Sequence, residues 1–260
     1  MNRFQAGLNI QIRVISALMI RELSTRFGRE NIGFLWVMVE PLMFALLVSV
    51  IWRAWRGPEE YGIDIVAFVV TGYIPLTFFR HAIARSVGSL KVNASLMYHR
   101  QIKILDLVLT RFLIEMLGSM MGYVFIGVTL YELGFMPWPS DIGLFIAGWL
   151  VYSFFTFSIC IVVCPLSEKS EIVEKFVPVT TYVIVPFSGT FSLTQWLAPR
   201  ARDLLYYSPP VSGMELMRAG LFGDLVHPYY NFVVPLTFSL IMTMIGLSLC
   251  RRVRRTLVVE

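Results

Sequence analysis

Charge is scarce in this chain. Only 15% of its 260 residues are Asp, Glu, Lys or Arg, while 57% are hydrophobic, and mean hydropathy is +0.69. A soluble domain holds about 25% charged and about 45–50% apolar residues. A chain this short has no interior large enough for the surplus, so lipid must solvate much of it. That excludes an ordinary soluble domain and predicts a polytopic membrane protein with little mass outside the bilayer. Cysteine is also rare. Cys160, Cys164 and Cys250 make no disulfide framework. Cys160 and Cys164 share a helix face but lack the His or carboxylate companions of a metal site, so they read as buried structural thiols. The N-terminus does not read as a cleavable signal, because its first apolar run follows a long basic stretch.

The usual signatures of chemistry are missing too. No G-x-x-x-x-G-K-[ST] is present, so ATP binding by a P-loop is not expected. There is no H-E-x-x-H, no G-x-S-x-G and no close Asp pair, and His81, His99 and His227 are scattered. Glu40 and Glu115, the acidic residues inside apolar runs, are unpaired in sequence. No catalytic, metal or cofactor site is expected. A transport subunit fits better than an enzyme; a polytopic lipid-modifying enzyme is the remote alternative.

Six apolar runs are long enough to span a core of about 30 Å. They cover residues 33–52, 63–83, 104–131, 142–164, 176–193 and 229–250. The expected fold is an all-α polytopic membrane protein with six transmembrane helices. Lys and Arg gather in the first thirty residues, in 80–103, in 169–175 and in 251–255, leaving few between. By the positive-inside rule both termini are cytoplasmic. The net charge of +5 therefore reads as orientation rather than nucleic-acid binding.

Four connectors carry information. Residues 11–27 form an amphipathic helix, with Ile12, Ile15, Met19 and Leu23 on one face. It suits either the cytoplasmic headgroup layer, where Arg13, Arg21, Arg26 and Arg29 meet anionic lipid, or a packing surface. Residues 91–103 are a basic cytoplasmic connector. Residues 165–178 are a second, with Glu171 and Lys175 supporting a helical turn or two. Residues 189–230 are too apolar for a solvated loop and too broken by Pro and Gly for a span. Two short helices, 200–207 and 211–222, dipping back from the outer side fit that pattern, and irregular backbone at depth must border protein or a water-filled cavity.

Aromatics make up 14% of the chain. An interfacial belt accounts for Trp52, Trp138 and Trp149. Trp36, Tyr182, Phe187 and Phe191 belong either to that belt or to a sugar path, since pyranose C–H faces stack on aromatic rings. Glu40 and Pro41 read as a bend near the cytoplasmic end of the first span. Pro41 frees the Val37 carbonyl, and Glu40 serves either the structure or a substrate path.

The stretch RELSTRFGRENIGFLWVMVEPL resembles the entry sequence of the ABC-2 family of exporter membrane subunits. Within the family it is most similar to the inner-membrane subunit of Gram-negative capsule polysaccharide exporters. NASLMYHRQIKILDLVLTR, PFSGTF and PPVSGMELMRAGLFG extend the resemblance along the whole chain. One departure is Ser208-Pro209-Pro210, where the wider family often has Asn-Pro.

The resemblance implies one transmembrane unit over residues 1–260. An interfacial helix (1–31) precedes spans one to five (33–193), periplasmic gate helices (194–228), span six (229–250) and a cytoplasmic tail (251–260). It implies a homodimer in the bacterial inner membrane, working with two copies of a P-loop ATPase that uses ATP and Mg. The substrate would be a lipid-linked capsular polysaccharide, passed on to periplasmic and outer-membrane export components. It assigns ATPase coupling to Lys91, Asn93, Leu96, Met97, Tyr98, His99 and Arg100. It assigns the gate to Trp196, Tyr206, Tyr207, Glu215 and Arg218. Export of O-antigen, teichoic acid or a small molecule by the same architecture is the alternative.

Overall fold

A computed structural model of the protein describes residues 3–27, 33–97 and 102–257. Arg29, Tyr98, His99 and Arg100 lie outside the described residues, as do the side chains of Trp36, Glu40 and Pro41.

The described chain is mostly helical. In order it forms α1 (Arg3–Phe27), α2 (Gly33–Arg56), a hairpin of β1 (Glu59–Glu60) and β2 (Ile63–Asp64), α3 (Ile65–Ser86), α4 (Ser89–Val92) and α5 (Ala94–Met97). The remainder is α6 (Ile104–Glu132), α7 (Ile142–Lys169), α8 (Glu171–Val183), α9 (Pro199–Tyr206), α10 (Pro209–Phe222) and α11 (Val233–Leu257). Among the described residues four helices are long and apolar enough to cross a membrane: α3, α6, α7 and α11. α2 adds 24 residues, whose apolar stretch is Leu42–Trp55.

Two expectations need correction. The run at 176–193 is not one helix. α8 begins earlier, at Glu171, and ends at Val183, followed by a 3-10 turn at Val185–Phe187 and an irregular segment. Pro186 and Gly189 (φ +73) stop the helix although the residues stay apolar. The connector at 165–178 is likewise almost all helix. α7 continues through Pro165 to Lys169, and only Ser170 breaks it, with extended backbone.

Pro165 removes the N–H that would bond the Ile161 carbonyl. That carbonyl instead faces α11, where Cys250 Sγ approaches to 3.9 Å. Gly246 permits the approach, because a Cβ there would lie 2.9 Å from the Ile161 carbonyl oxygen.

The centre of the subunit is built from α3, α7 and α10. α3 is buried along most of its length. Asp64 caps its first turn, its side chain accepting from Val66 N at 2.7 Å. α7 and α10 meet backbone to backbone along a seam of three glycines. A Cβ on Gly148 would sit 2.6 Å from Met217 N, and one on Gly220 would sit 2.5 Å from Phe145 N. One on Gly213 would sit 2.9 Å from Tyr152 Cβ. Such close approach gains dispersion contacts, the main attraction between helices where lipid is as apolar as the side chains. The α7 cap also joins α10, with Asp141 N donating to Gly220 O at 2.8 Å.

Candidate transport path and coupling face

α1 is fastened to α6 by polar pairs. Gln11 Nε2 donates to Asp106, Arg111 Nε lies 3.3 Å from Glu22, and Arg26 Nη1 lies 2.5 Å from Glu115 Oε1. The pairs follow the same order on both helices, so α1 runs alongside the first part of α6 and reaches deeper at its C-terminal end. Glu115 is only 1% exposed, and Arg85 approaches it to 3.9 Å from the end of α3. The carboxylate that looked isolated in sequence therefore sits among cations. An unpaired charge at mid-bilayer costs about 2.5–3.5 kcal/mol on insertion scales, which the pairing offsets.

The inward side of α1 includes most of the expected apolar face: Ile15, Met19 and Leu23 are half-buried, Leu18 is buried and Val14 packs on the core, whereas Ile12 is exposed, as are Leu8 and Ile20. Glu22 and Arg26, which pair with α6, lie on the same half-buried side. In a double-mutant cycle, Arg26→Gln and Glu115→Gln are expected to be non-additive by about 1–3 kcal/mol in detergent unfolding. Additive losses would show that the pair is not coupled.

α1 also holds the segment expected to couple to the ATPase. Arg21 Nη1 donates to Asn93 Oδ1 at 3.1 Å, and Asn93 Nδ2 donates to Ser89 O at 3.0 Å. Asn93 is buried at the junction of α4 and α5. Lys91 Nζ lies 2.8 Å from Glu174 Oε2 on α8, and that hydrogen bond holds its ammonium above the usual lysine range. Gly88 N donates to Ser167 Oγ at 3.1 Å, and Ser89 Oγ lies 3.1 Å from Cys164 Sγ. One short segment thus touches α1, α7 and α8. Outward it shows Lys91, Val92 (72% exposed), Ala94 and Ser95, while Leu96 and Met97 pack partly against the core.

α8 carries a stripe of exposed residues: Ile172, Phe176, Val179, Tyr182 and Val183, continued by Phe187. Of the residues expected on a sugar path, Tyr182 and Phe187 lie on this face. Phe191 does not; its ring stands 5.7 Å from Trp52 in a separate aromatic cluster. Trp196 joins that cluster, 4.7 Å from Phe68 and 5.5 Å from Tyr61.

In the sequence Arg80 counts only among the basic residues that orient the chain. Its guanidinium in fact lies 3.9 Å from the centre of the Tyr182 ring. The missed signal was an arginine inside an apolar run with an aromatic partner on another helix.

The remaining residues expected at the gate separate into two groups. Tyr206 and Tyr207 meet edge to face at the end of α9, with Tyr207 exposed. Glu215 and Arg218 lie on α10, which is buried from Pro210 to Phe222. Arg218 donates to the carbonyls of Gly189 (2.6 Å), Thr190 (2.5 Å) and Ser192 (3.2 Å), and its guanidinium lies 4.2 Å from the Phe68 ring centre. Glu215 Oε1 accepts from Thr194 N at 2.9 Å and from Thr194 Oγ1 at 2.7 Å. The two charges hold the irregular segment after α8 in place and do not face outward. Gly72 leaves room for them, since a Cβ there would lie 2.5 Å from Arg218 Nη2. Among the described residues no group of His, Cys, Asp and Glu could hold a metal.

Comparison with known proteins agrees with this architecture. The sequence model of the ABC-2 type transporter family matches residues 13–222. The capsule polysaccharide export inner-membrane protein CtrC of Neisseria meningitidis serogroup B is 37% identical, with 95% of this chain and 93% of that protein covered. The corresponding BexB of Haemophilus influenzae is 32% identical, with 95% and 94% covered. The polysialic acid transport protein KpsM of Escherichia coli is 23% identical, with 95% and 96% covered.

Proposed function

The chain belongs to the ABC-2 type transporter family, and on that premise we propose that it is the inner-membrane permease of an ATP-driven exporter of a lipid-linked capsular polysaccharide. The observation that carries this reading is likeness over nearly the whole chain, at 37% and 32% identity, to proteins named for capsule polysaccharide export.

The geometry supplies parts that such a machine needs. A polymer longer than the membrane is thick cannot be enclosed in a cavity open to one side at a time. It requires a continuous channel, which two copies of this chain form where they meet. The exposed stripe on α8, with Tyr182 and Phe187, suits the wall: aromatic faces grip sugar rings without fixing a single pose. Two copies of a P-loop ATPase dock on α4 and α5. Closure of the ATPase dimer on ATP and Mg pushes this segment. The Arg21–Asn93 and Lys91–Glu174 contacts pass the push to α1 and α8 as a small rigid-body step. The lipid-linked end enters beside α1, and the segment from α9 to α10 closes the outer end until the polymer passes to periplasmic and outer-membrane components.

Reconstituted with its ATPase, the chain is expected to move a fluorescent capsular polysaccharide into vesicles only when ATP is present. Transport by this chain alone would overturn the reading. Val92→Glu is expected to abolish co-purification of the ATPase without changing thermal stability, since the side chain is exposed. Tyr182→Ala, with normal assembly, is expected to stop polymer export; an exporter of small molecules would tolerate it.

A further inference from the structure

Resting on the glycan-export reading, we infer that Arg80 and Tyr182 form an anion-recognising station on the polymer path, taking carboxylates borne along the transported chain.

The argument starts from what each arginine of this region does with its donors. Arg26 and Arg85 face Glu115, and Arg111 faces Glu22. Arg21 donates to Asn93, and Arg218 donates to three carbonyls. Arg80 differs. Its Nε is buried with no hydrogen-bond partner, as is that of Arg218, but where Arg218 donates through its Nη atoms, Arg80 makes no hydrogen bond or ion pair among the described residues. What it has is the Tyr182 ring, 3.9 Å from its guanidinium. Stacking fixes the plane of the guanidinium and leaves its in-plane N–H groups unspent. A planar fork of donors held in that way matches a carboxylate, which accepts two parallel hydrogen bonds.

Position selects the source of the anion. Arg80 lies six residues before Ser86, the last residue of α3, or about 9 Å along the helix. Tyr182 lies eleven residues beyond Glu171, the first residue of α8, or about 16 Å. A headgroup phosphate belongs at the helix ends, beside Lys91 and Glu174, not at this depth. Tyr182 is 60% exposed and Phe187 is 50% exposed, so the station opens onto the face that the reading assigns to the channel. The aromatic rings grip the sugar and the arginine reads its charge. One cation met by successive carboxylates gives weak, repeated binding, as a moving polymer requires.

The test uses the full chain with its ATPase in lipid nanodiscs. The probes are a fluorescein-labelled oligogalacturonate and its carboxyl-reduced, neutral counterpart, followed by fluorescence anisotropy. The wild-type complex is expected to bind the carboxylated probe about tenfold more tightly, the scale of a hydrogen bond to a charged group. Arg80→Gln should remove that preference, so that the carboxylated and neutral probes bind with equal affinity. Should Arg80→Gln fail to fold, Arg80→Lys carries the test. It keeps the charge but loses the planar fork, so the preference should fall several-fold.

Equal binding of the two probes by the wild type, or a preference that survives in the Arg80 variant, overturns the inference and leaves the glycan path standing. Absence of binding by both probes overturns the glycan path itself. Displacement of the carboxylated probe by submicellar dihexanoyl phosphatidylglycerol from the wild type, but not from the Arg80 variant, assigns the site to a lipid headgroup and overturns the polymer reading.

Discussion

Arg218→Leu is expected to abolish export and to destabilise the subunit by about 3–5 kcal/mol, the usual cost of removing one partner from a buried charged network. The leucine leaves the carbonyls of Gly189, Thr190 and Ser192 without their donor in a place water cannot reach. A buried group left unsatisfied costs about 1–3 kcal/mol. Glu215, one turn earlier on α10, loses its neighbouring positive charge at the same time. Arg218→Lys is the informative companion. It keeps the charge, but one ammonium cannot reach three carbonyls in a fixed fork and stack on Phe68 as well. We expect it to recover part of the stability and little of the transport. The measurement is the thermal midpoint of the detergent-solubilised subunit, paired with ATP-dependent uptake in vesicles. A leucine variant as stable as the wild type would show that Arg218 does not hold the segment after α8.

Gly148→Val should be comparably severe. Its Cβ would fall 2.6 Å from Met217 N and 2.8 Å from Gly213 O, both backbone atoms that cannot rotate away. Relief requires α7 and α10 to separate along the whole seam, with loss of the contacts at Gly213 and Gly220. Overpacking commonly costs about 1–3 kcal/mol, and a backbone clash belongs at or above the top of that range. The expected outcome is loss of monodisperse protein in fluorescence-detected chromatography. Gly127→Ala is the control. On α6 its new methyl would meet only Met136 Sδ at 3.9 Å, and the variant should behave as wild type. Equal behaviour of the two variants would dissolve the claim that the seam is closely packed.

Local patterns made much of this architecture legible. α3, α6, α7 and α11 lie close to the runs expected at 63–83, 104–131, 142–164 and 229–250, because a span is a local property of about 20 apolar residues. α8 was misplaced for the opposite reason. Apolarity continues through IVPFSGTF, so composition cannot mark where Val183 ends the helix. Pro165 looked like punctuation, yet α7 runs through it because the carbonyl it frees is met by Cys250 on α11. No local window contains that information. The candidate sites follow the same division. Tyr182 and Phe187 could be singled out as aromatics, but their exposure and the Arg80 contact depend on how α3 and α8 pack. The family resemblance assigned Glu215 and Arg218 to a gate; that both are buried follows only from the packing of α10.

The pairing of Arg26 with Glu115 also has a consequence for biosynthesis. The two residues are 89 positions apart, so α1 leaves the ribosome long before its docking site exists. At about 5–20 residues per second, the wait is on the order of 4–18 s. During that interval the α6 partners of Gln11, Glu22 and Arg26 have not yet been made. Its exposed Leu8, Ile12 and Ile20 give it somewhere to wait: the surface of the bilayer. When α6 inserts, Glu115 enters a membrane whose near face already holds its counter-charge. The helix that looks like a passive anchor in the finished subunit would then act, during synthesis, as the partner that lets a carboxylate-bearing span be accepted.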